Sequence, residues 1–327
     1  MKILIVTPSP ARSQTGNRIT ALRWGRILRE LGHRVVLQEE YRGGRYDLVI
    51  VLHARRSFGS IQLFRERFPQ APLLLALTGT DLYHDIHIDP RAQQALALAT
   101  RLIVLQPLGL DELPAPLRRK GVVIYQSVAV PLAIGRAAKK SRAFTVCVMG
   151  HLRPVKDPWR AAQAARRLPS TSKIQVVHVG GALSQSMEKQ ALGEQARNPR
   201  YHWLGEAPRA KALRILARSR LLVHSSRMEG GANVISEALA LSVPVLSSEI
   251  PGSIGILGPE YPGYFPVGDT RALAALMQRA ELDMDFYHAL ASHCESVKPL
   301  VEPARERTSW KELLTALFPA LREKERV

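Results

Sequence analysis

Residues 225–245 have the sequence SSRMEGGANVISEALALSVPV, in which seven residues separate Glu229 from Glu237 and a glycine pair follows the first glutamate. The apolar run RLLVHSS leads into this segment, and the run PVLSS closes it. Between them, apolar residues recur at helical spacing near 233–241. This order predicts a strand, a glycine turn, a helix and a second strand, which is the unit from which helix-covered parallel sheets are built.

The same unit recurs along both halves of the chain. In the first half, strands are predicted at KILIVTP, HRVVLQ, DLVIVLH, PLLLALT, RLIVLQP and VVIYQS. In the second half, they are predicted at TVCVMG, IQVVHVG, YHWLG, RLLVHSS and PVLSS. Helical spacing predicts helices at 17–31, ended by Gly32, and near 57–67, 90–99, 157–167, 184–197, 208–218, 233–241, 270–281, 286–297 and 303–325. Runs such as LVIV lack alternation, as expected of strands covered on both faces.

The domain organisation follows from a break in this pattern. Between residues 129 and 143, small, basic and proline residues replace the alternation, and we interpret the stretch as a linker. Two βα arrays joined by one linker predict an α/β protein with two doubly wound, Rossmann-like sheets. The predicted domains are 1–136, 137–302 and a C-terminal helix within 303–327. Since ligands bind outside the carboxyl ends of parallel strands, we expect a ligand cleft between the two facing domains.

Composition limits the classes of partner. The 327 residues, 46% of them hydrophobic, are enough for two domains with separate cores. Lys and Arg outnumber Asp and Glu by 46 to 28, giving a net charge of +18. Such a field suits nucleic acid, an anionic membrane surface or small phosphorylated substrates, and an arginine-rich genome would explain it equally well. Because the basic residues are scattered and aromatic residues are only 6%, no nucleic-acid partner is predicted.

No targeting, membrane or cysteine-based site is predicted. No apolar run approaches the roughly 20 residues of a membrane-spanning helix, and MKILIVTP is too short for a signal sequence. We therefore expect a cytoplasmic protein without stable membrane insertion. Cys147 and Cys294 form neither a metal-binding nor a disulfide spacing, and Cys147 is predicted to be a buried strand residue.

Common ligand fingerprints are missing from the sequence. Neither GxGxxG nor GxxxxGK[ST] occurs, which argues against a dinucleotide cofactor and a P-loop. Asp283 and Asp285 match a metal-binding DxD in letters, but they lie at a helix junction, and we interpret the match as chance. No cofactor and no metal are expected.

The opening segment is a candidate anion and hydroxyl site. The glycines allow close backbone approach, and the following helix points free N–H groups and its positive dipole end at the turn. A carboxylate at Glu237 could accept two hydroxyl hydrogen bonds from a ribose, or it could be a solvated helix residue. The candidate ligand-binding residues here are Glu229, Gly230, Gly231, Ala232, Asn233, Val234 and Glu237.

A second candidate segment, GHLRPVKDP, ends the first strand of the second half. Gly150 permits the break from strand to loop, while Arg153 and Lys156 present cations at the strand's carboxyl end. Asp157 and Pro158 are predicted as the N-cap and first residue of the next helix. A diphosphate could lie between these cations and the helix at 233, although two ordinary surface cations remain the alternative.

A third group of polar residues follows the strands of the first half. PARSQTGNRIT, LHARRS and LTGTD each come directly after a strand, so a parallel sheet places them on one edge. The candidate acceptor-binding residues are Thr15, Gly16, Asn17, Arg18, Arg55, Thr78, Gly79, Thr80 and Asp81. His53 is a further candidate, with an ordinary strand-end histidine as the alternative.

Together these segments resemble family 4 glycosyltransferases of the GT-B fold. The resemblance rests on the E-x7-E pattern of Glu229 and Glu237, the G-x5-K pattern of Gly150 and Lys156, the run EALALSVPV and the glycine loop after the first strand. It implies that Glu237 holds the ribose of a nucleotide sugar and Glu229 the donor sugar. Arg153 and Lys156 would hold the diphosphate without a metal, and the last helix would return to the first domain. His151 stands where many relatives have arginine, and EGGA stands where EGFG is common.

More narrowly, four segments are similar to the selenosugar synthase family of selenoneine biosynthesis: MKILIVTPSPARSQTGNRITALRW, LTGTDLY, HLRPVKDP and EGGANVISEAL. That family joins selenophosphate to a UDP-sugar, here expected to be UDP-N-acetylglucosamine, and releases UDP and phosphate. The implied partners are these two substrates, with a functional link to selenophosphate synthetase. Arg12, Arg18, Arg55 and Arg56 could hold the anionic acceptor. The implied catalytic residues are Glu229, Arg153, Lys156 and His53.

Two other functions stay open at this point. The same catalyst could act on a lipid or polysaccharide acceptor at a membrane surface, for which RRSFGSIQLFRERF offers an apolar-basic helix that is more often part of a core. A non-enzymatic scaffold would be expected to lose the candidate residues, which are all present. The sugar, the product's anomeric configuration, discrimination between selenium and sulfur, the oligomeric state and the identity of any base are not determined by the sequence.

Overall fold

The computed structural model describes residues 1–13, 15–131, 134 and 143–319. The chain forms two compact units, which we call unit 1 and unit 2. Unit 1 comprises Met1–Ser127, Glu229–Gly231 and Pro303–Val327, and unit 2 comprises Val128–Met228 and Ala232–Glu302. The predicted domain boundary at 136 and most of the predicted linker lie outside the described residues.

Unit 1 is built on a parallel sheet of six strands in the order β2-β1-β3-β4-β5-β6 among the described residues. Its strands are β1 (Lys2–Val6), β2 (Arg34–Gln38), β3 (Leu48–Leu52), β4 (Leu73–Ala76), β5 (Arg101–Val104) and β6 (Gly121–Val123). Pairing is in parallel register throughout, for example Ile3 with Leu48 and Val49 with Leu73. The carboxyl ends of β1, β3 and β4 are therefore neighbours on one edge.

Unit 2 repeats this design with six described strands in the order β12-β11-β10-β7-β8-β9. They are β7 (Phe144–Met149), β8 (Ile174–Val179), β9 (Tyr201–Trp203), β10 (Leu221–His224), β11 (Val245–Ser248) and β12 (Tyr264–Phe265). The prediction of two doubly wound parallel sheets is confirmed. The sequence did not predict β12, whose two residues are too few to show a pattern.

The helices connect these strands. In the described residues they are α1 (Gly16–Glu30), α2 (Phe58–Arg67), α3 (Pro90–Leu98), α4 (Arg160–Ala165), α5 (Gln185–Arg197), α6 (Arg209–Arg218), α7 (Asn233–Ala240), α8 (Pro251–Leu257), α9 (Thr270–Leu282), α10 (Met284–Val297) and α11 (Pro303–Leu317). A π-helical turn spans Asp81–Asp85 and continues into a short α-helical turn at Ile86–Ile88. Turns of 3-10 helix span Pro107–Leu110, Ala115–Lys120, Pro154–Lys156 and Lys298–Val301. No helix in the described ranges is long and apolar enough to span a membrane.

The helix predictions hold with small shifts, and the predicted helix start at Asp157 is wrong. Asp157 is not an N-cap: it has a left-handed backbone (φ +45°) and the next helix, α4, begins at Arg160. Helix α8 was not predicted, because its sequence PGSIGIL contains two glycines and a proline. The last helix ends at Leu317 in the described part of the chain, earlier than the predicted 325.

The core of unit 1 has two layers, one on each face of the sheet. Alternate strand residues divide between them, so Ile3 and Ile5 face one layer while Leu4 and Val6 face the other. Burial on both faces explains why these strands lack alternation in sequence. Cys147 and Cys294 of unit 2 are likewise buried, and both are free thiols.

A buried glutamate fixes α11 on unit 1. Glu306 is 1% exposed. It accepts hydrogen bonds from Trp24 Nε1 at 2.7 Å and from the Ser127 backbone N–H at 2.9 Å. It also pairs with Arg23 Nε at 3.0 Å. Trp24 and Trp310 pack edge to face beside it, with ring centroids 5.0 Å apart. This polar centre joins α1, α11 and the segment after β6.

Candidate functional site

The loop after β7 is held in place by a buried histidine. Gly150 leaves the strand with φ +151°, and a Cβ atom on Gly180 would lie 1.8 Å from the Gly150 carbonyl oxygen. His178 contacts that oxygen through Nε2 at 3.1 Å and the Tyr201 hydroxyl through Nδ1 at 2.9 Å. Burial is the main reason that the pKa of His178 falls to about 4, so the ring is neutral and Nε2 donates to the carbonyl.

The two predicted cations follow directly in this loop. Arg153 and Lys156 are both half-buried: Arg153 precedes the 3-10 turn Pro154–Lys156, and Lys156 is its last residue. Asp157 does not face solvent but binds Arg160, with 2.8 Å from its Oδ2 to Nε. His151 accepts from the Gly181 backbone N–H at 3.2 Å through Nδ1, so its ring is engaged inside unit 2.

The segment after β10 packs directly on this loop. Ser225 Oγ donates to the carbonyl oxygens of Lys156 at 3.1 Å and of Asp157 at 3.0 Å. The Arg227 backbone N–H donates to Val155 O at 2.8 Å. The structure therefore brings together the start of the opening segment and the GHLRPVKDP segment, because β7 and β10 are neighbours in the sheet.

A pocket opens at the carboxyl ends of these strands in unit 2. It is a shallow, open depression that is lined in part by Gly150, His151, Lys156, Pro158, His224 and Ser226. Lys156 and Gly150 are the predicted residues on its wall. His178, His224 and Ser226 were not predicted from the sequence, since single histidines and serines at strand ends carry no distinctive pattern.

The glycine pair has a steric reason that the sequence did not reveal. Glu229–Gly231 belong by their contacts to unit 1. A Cβ atom on Gly230 would lie 2.6 Å from the Thr78 carbonyl carbon, and one on Gly231 would lie 2.6 Å from Leu105 Cβ. The glycines thus allow close approach to the chain after β4 and β5. Glu229 itself is half-buried beside them.

The second glutamate is buried and paired. Glu237 lies on α7 with 3% exposure, which excludes the solvated-helix interpretation. Its carboxylate forms an ion pair with Arg209, whose side chain is 38% exposed. Asn233 and Val234 begin α7, and Ala232 is its N-cap. The whole of α7 is short and largely buried.

Arg209 was not predicted from the sequence, although a signal was available. It is the first residue of α6, where the helix dipole disfavours a positive charge. A cation at such a position needs a compensating anion, and Glu237 supplies it. The pair joins the start of α6 to α7 within unit 2.

In unit 1, Asp81 organises the strand ends. Its side chain is fully buried. It accepts hydrogen bonds from the backbone N–H groups of Ala54 at 3.1 Å and of Thr78 and Gly79 at 2.9 Å each. These bonds join the loops after β3 and β4. A carboxylate occupied by three backbone donors shapes its loop, so a direct contact from Asp81 to an acceptor remains a prediction.

His53 lies inside this arrangement with a strained backbone. Its φ is +72°, which is rare for a residue with a Cβ atom, and its side chain is almost completely buried. Nδ1 is 4.0 Å from Asp81 Oδ2 and Nε2 is 4.0 Å from Asp85 Oδ2, while Thr80 Oγ1 is 3.4 Å from Nε2. Burial lowers the pKa of His53 more than Asp81 raises it, so its ring is neutral at pH 7.

Arg55 is anchored beside His53. Its Nε donates to Asp85 Oδ2 at 2.9 Å, and the side chain is 47% exposed. Arg56 follows it in an exposed position. Asp85 was not predicted, because nothing in DLYHD distinguishes it from an ordinary acidic residue.

The loop after β1 supplies the remaining predicted residues. Thr15 Oγ1 donates to Ser9 Oγ at 2.8 Å, and Gly16 and Asn17 begin α1. Arg18 is half-buried, and its Nε is a buried atom with no hydrogen-bond partner within the described ranges. The sheet order places this loop next to the loop after β3, which carries His53, and the loop after β4 with Thr78 lies one strand further on.

Metal-ligand side chains do not cluster in the described structure. Across the residues that the structure describes, no group of three or more His, Cys, Asp or Glu side chains is arranged to hold a metal ion. In the DxD match, Asp283 caps α10 by accepting from the Phe286 N–H at 2.9 Å and binds Arg279 Nε at 3.1 Å. Its contacts are those of an ordinary helix cap.

Comparison with known proteins agrees with this architecture. Residues 133–295 match the family model described as Glycosyl transferases group 1. Glycosyltransferase 1 domain-containing protein 1 of Xenopus tropicalis is 26% identical over 297 residues, covering 80% of this chain and 83% of that protein.

Two solved structures superpose over almost the whole chain. Sucrose-phosphate synthase from Thermosynechococcus elongatus has a TM-score of 0.78 at 18% identity, covering 98% of this chain and 99% of that chain. HepE of Anabaena in complex with UDP-glucose has a TM-score of 0.77 at 16% identity, covering 97% of this chain and 100% of that chain. The chain therefore has the GT-B glycosyltransferase fold, and its residues 133–295 match the glycosyl transferases group 1 family.

Proposed function

We propose that this protein transfers a sugar from a UDP-sugar, with UDP-N-acetylglucosamine as the expected donor, to selenophosphate. The C1–O bond to the diphosphate breaks with UDP as leaving group, and a C1–Se bond forms. Water then takes the phosphoryl group from selenium, so that the products are a 1-seleno-sugar, UDP and phosphate. Because selenophosphate is labile, an enzyme that makes it, selenophosphate synthetase, is the expected functional partner.

The donor half of the proposal rests on unit 2. The family match covers the pocket-lining loop with Gly150 and Lys156 and the buried Glu237. Anabaena HepE was solved in complex with UDP and glucose and with UDP-glucose, which supports a UDP-sugar here. We assign the diphosphate to Arg153 and Lys156, the ribose to Glu237 and the donor sugar to Glu229. Cations held next to the leaving diphosphate would stabilise its developing charge.

The acceptor half rests on a single observation. In unit 1, Arg55 is fixed by a buried carboxylate beside a neutral His53, and the half-buried Arg18 lies in the first turn of α1, which follows the neighbouring strand β1. Arginine side chains in a sheltered strand-end position suit a small oxyanion better than a neutral sugar hydroxyl. His53 would orient the acceptor. A selenium nucleophile needs little help from a base, so a neutral histidine is sufficient.

A lipid or polysaccharide acceptor is the second candidate, favoured by the net charge of +18. Its expected membrane-binding segment is α2. In the structure, however, Ile61 and Phe64 are fully buried, and Phe58, Leu63 and Phe68 pack against the same core. The apolar side of α2 is therefore already used inside unit 1, which supports the small anionic acceptor.

The test is an anaerobic incubation of the protein with UDP-N-acetylglucosamine and fresh selenophosphate, with and without a metal chelator. We expect a sugar product with the selenium isotope pattern in mass spectrometry, together with an equal amount of UDP, in both samples. UDP binding without this product would overturn the acceptor and leave the lipid or glycan alternative. A product that forms only without chelator would overturn the expected metal independence.

Donor binding is tested separately by calorimetry with UDP. Glu237→Gln should weaken UDP binding about tenfold, since a hydrogen bond to a charged group contributes roughly 1.5–3 kcal/mol. Glu188→Gln, an exposed glutamate of α5 in the same unit, is the matched control and should change nothing. Equal affinities for the two variants would contradict the assignment of the ribose to Glu237.

A further inference from the structure

Asp85 is a buried carboxylate that contacts two residues of the proposed acceptor site. Its side chain is 3% exposed and ends the π-helical turn Asp81–Asp85. Oδ2 accepts from Arg55 Nε at 2.9 Å and is 4.0 Å from His53 Nε2. Oδ1 lies 3.2 Å from His84 Nδ1. One carboxylate thus connects the loop after β3 with the turn after β4.

The geometry at Arg55 leaves the two Nη groups of its guanidinium available to a ligand. The hydrogen bond to Asp85 and the longer 4.0 Å contact to Asp89 both use Nε. The two Nη groups donate no hydrogen bond to any residue that the structure describes, and 47% of the side chain is exposed. A guanidinium tied through Nε presents two parallel N–H groups, which is the geometry that binds a tetrahedral oxyanion in bidentate fashion.

The backbone around Asp85 is unusual in two places. A π-helical turn is rare and occurs frequently at functional sites, and the nearby His53 adopts φ +72°. The bonds from Asp81 to Ala54, Thr78 and Gly79 hold both features together. The rigid frame is what a binding site requires.

We propose that Asp85 is a positioning residue that orients the Arg55 guanidinium so that its two Nη groups bind the oxyanion of the acceptor. This inference rests on the proposed function, because it assigns the substrate class of that same site. Asp85 does not touch the acceptor, and its negative charge is offset by Arg55. The acceptor class is a tetrahedral oxyanion such as phosphate or selenophosphate.

The test uses inorganic phosphate as the probe and a double-mutant cycle as the readout. Phosphate binding to the full-length protein is followed by ³¹P line broadening for wild type, Asp85→Ala, Arg55→Ala and the double variant. We expect Asp85→Ala to weaken phosphate binding about tenfold when Arg55 is present and less than twofold in the Arg55→Ala background. Glu112→Gln, which removes a surface contact to His87, is the matched control and should leave binding unchanged.

The possible outcomes separate this inference from the proposed function. Equal losses in both backgrounds, no loss, or no phosphate binding by wild type would each overturn the role of Asp85. Asp85-dependent phosphate binding without any selenosugar formation would keep the inference and overturn the selenophosphate acceptor. If Asp85→Ala does not fold, Asp85→Asn keeps the shape without the charge and serves in the same cycle. An unchanged UDP affinity confirms that unit 2 is intact in every variant.

Discussion

Removing Arg209 should destabilise unit 2 more than removing the charge of its partner. Arg209→Ala removes the cation that pairs with the buried carboxylate of Glu237, a residue that is 3% exposed. Breaking a fully buried pair from one side costs about 3–5 kcal/mol. Because the Arg209 side chain is 38% exposed, solvent screening lowers the expected cost to about 1–2 kcal/mol. Glu237→Gln leaves a half-exposed arginine that water can solvate, so we expect less than about 1 kcal/mol.

Thermal unfolding measures this asymmetry. For a unit of this size, 1 kcal/mol shifts the melting temperature by roughly 2–4 °C, so Arg209→Ala should lose about 2–8 °C. Adding Glu237→Gln to Arg209→Ala should restore part of the loss, because the buried side chain is then neutral. Arg26→Ala, which breaks an exposed pair with Glu30, is the control and should shift the midpoint very little.

The sign of the coupling decides the outcome. If the double variant melts at the sum of the two single losses, the residues do not interact. If it melts lower than Arg209→Ala, the carboxylate was not destabilised by losing its partner. Either result would refute the assignment of Arg209 as the counter-ion of Glu237.

Three further predictions concern residues that stabilise the two units. Burial lowers the pKa of His178 to about 4, which is below its value in the unfolded chain. The free energy of unfolding should therefore fall by up to about 3 kcal/mol as the pH drops from 6.5 toward 4. In urea unfolding, His178→Gln should make the free energy of unfolding depend less on pH over this range. Gly180→Ala should prevent normal folding, because the added Cβ atom would lie 1.8 Å from the Gly150 carbonyl oxygen. The control is Gly59→Ala, whose added Cβ atom has no neighbouring atom within 4 Å, and this variant should melt no lower than wild type. Glu306→Ala should cost at least about 3 kcal/mol in urea unfolding, since Trp24 Nε1 and the Ser127 N–H lose their acceptor; a loss under about 1 kcal/mol would contradict this role.

The sequence predicted the strands correctly where both of their faces are buried. The runs LVIV and LLLAL are apolar on both faces, and that pattern has few explanations other than a strand covered by helices. Short or irregular elements could not be predicted in this way. The strand Tyr264–Phe265 has two residues, and the helix Pro251–Leu257 contains residues that normally end helices. The turn at Asp157 depends on its contact with Arg160, which no local pattern reveals.

The candidate site was only partly predictable for a related reason. Glycines, cations and glutamates at strand ends were identifiable because they stand out against apolar strands. Their partners do not stand out: Arg209 and Asp85 acquire significance only from residues 28 and 30 positions away in the chain. Such pairs depend on which strands are neighbours in the sheet, and the strand order cannot be predicted from the local sequence.

The candidate sites of the two units share one physical design. In unit 2, the carboxylate of Glu237 is buried and the arginine that balances it is partly exposed. In unit 1, the same relation holds between Asp85 and Arg55. A buried carboxylate fixes the arginine, and the exposed part of the arginine can still meet a ligand. A surface arginine alone would be mobile, and ordering it would reduce the binding free energy. In unit 1, the arginine held in this way is the one that we propose to bind the acceptor oxyanion.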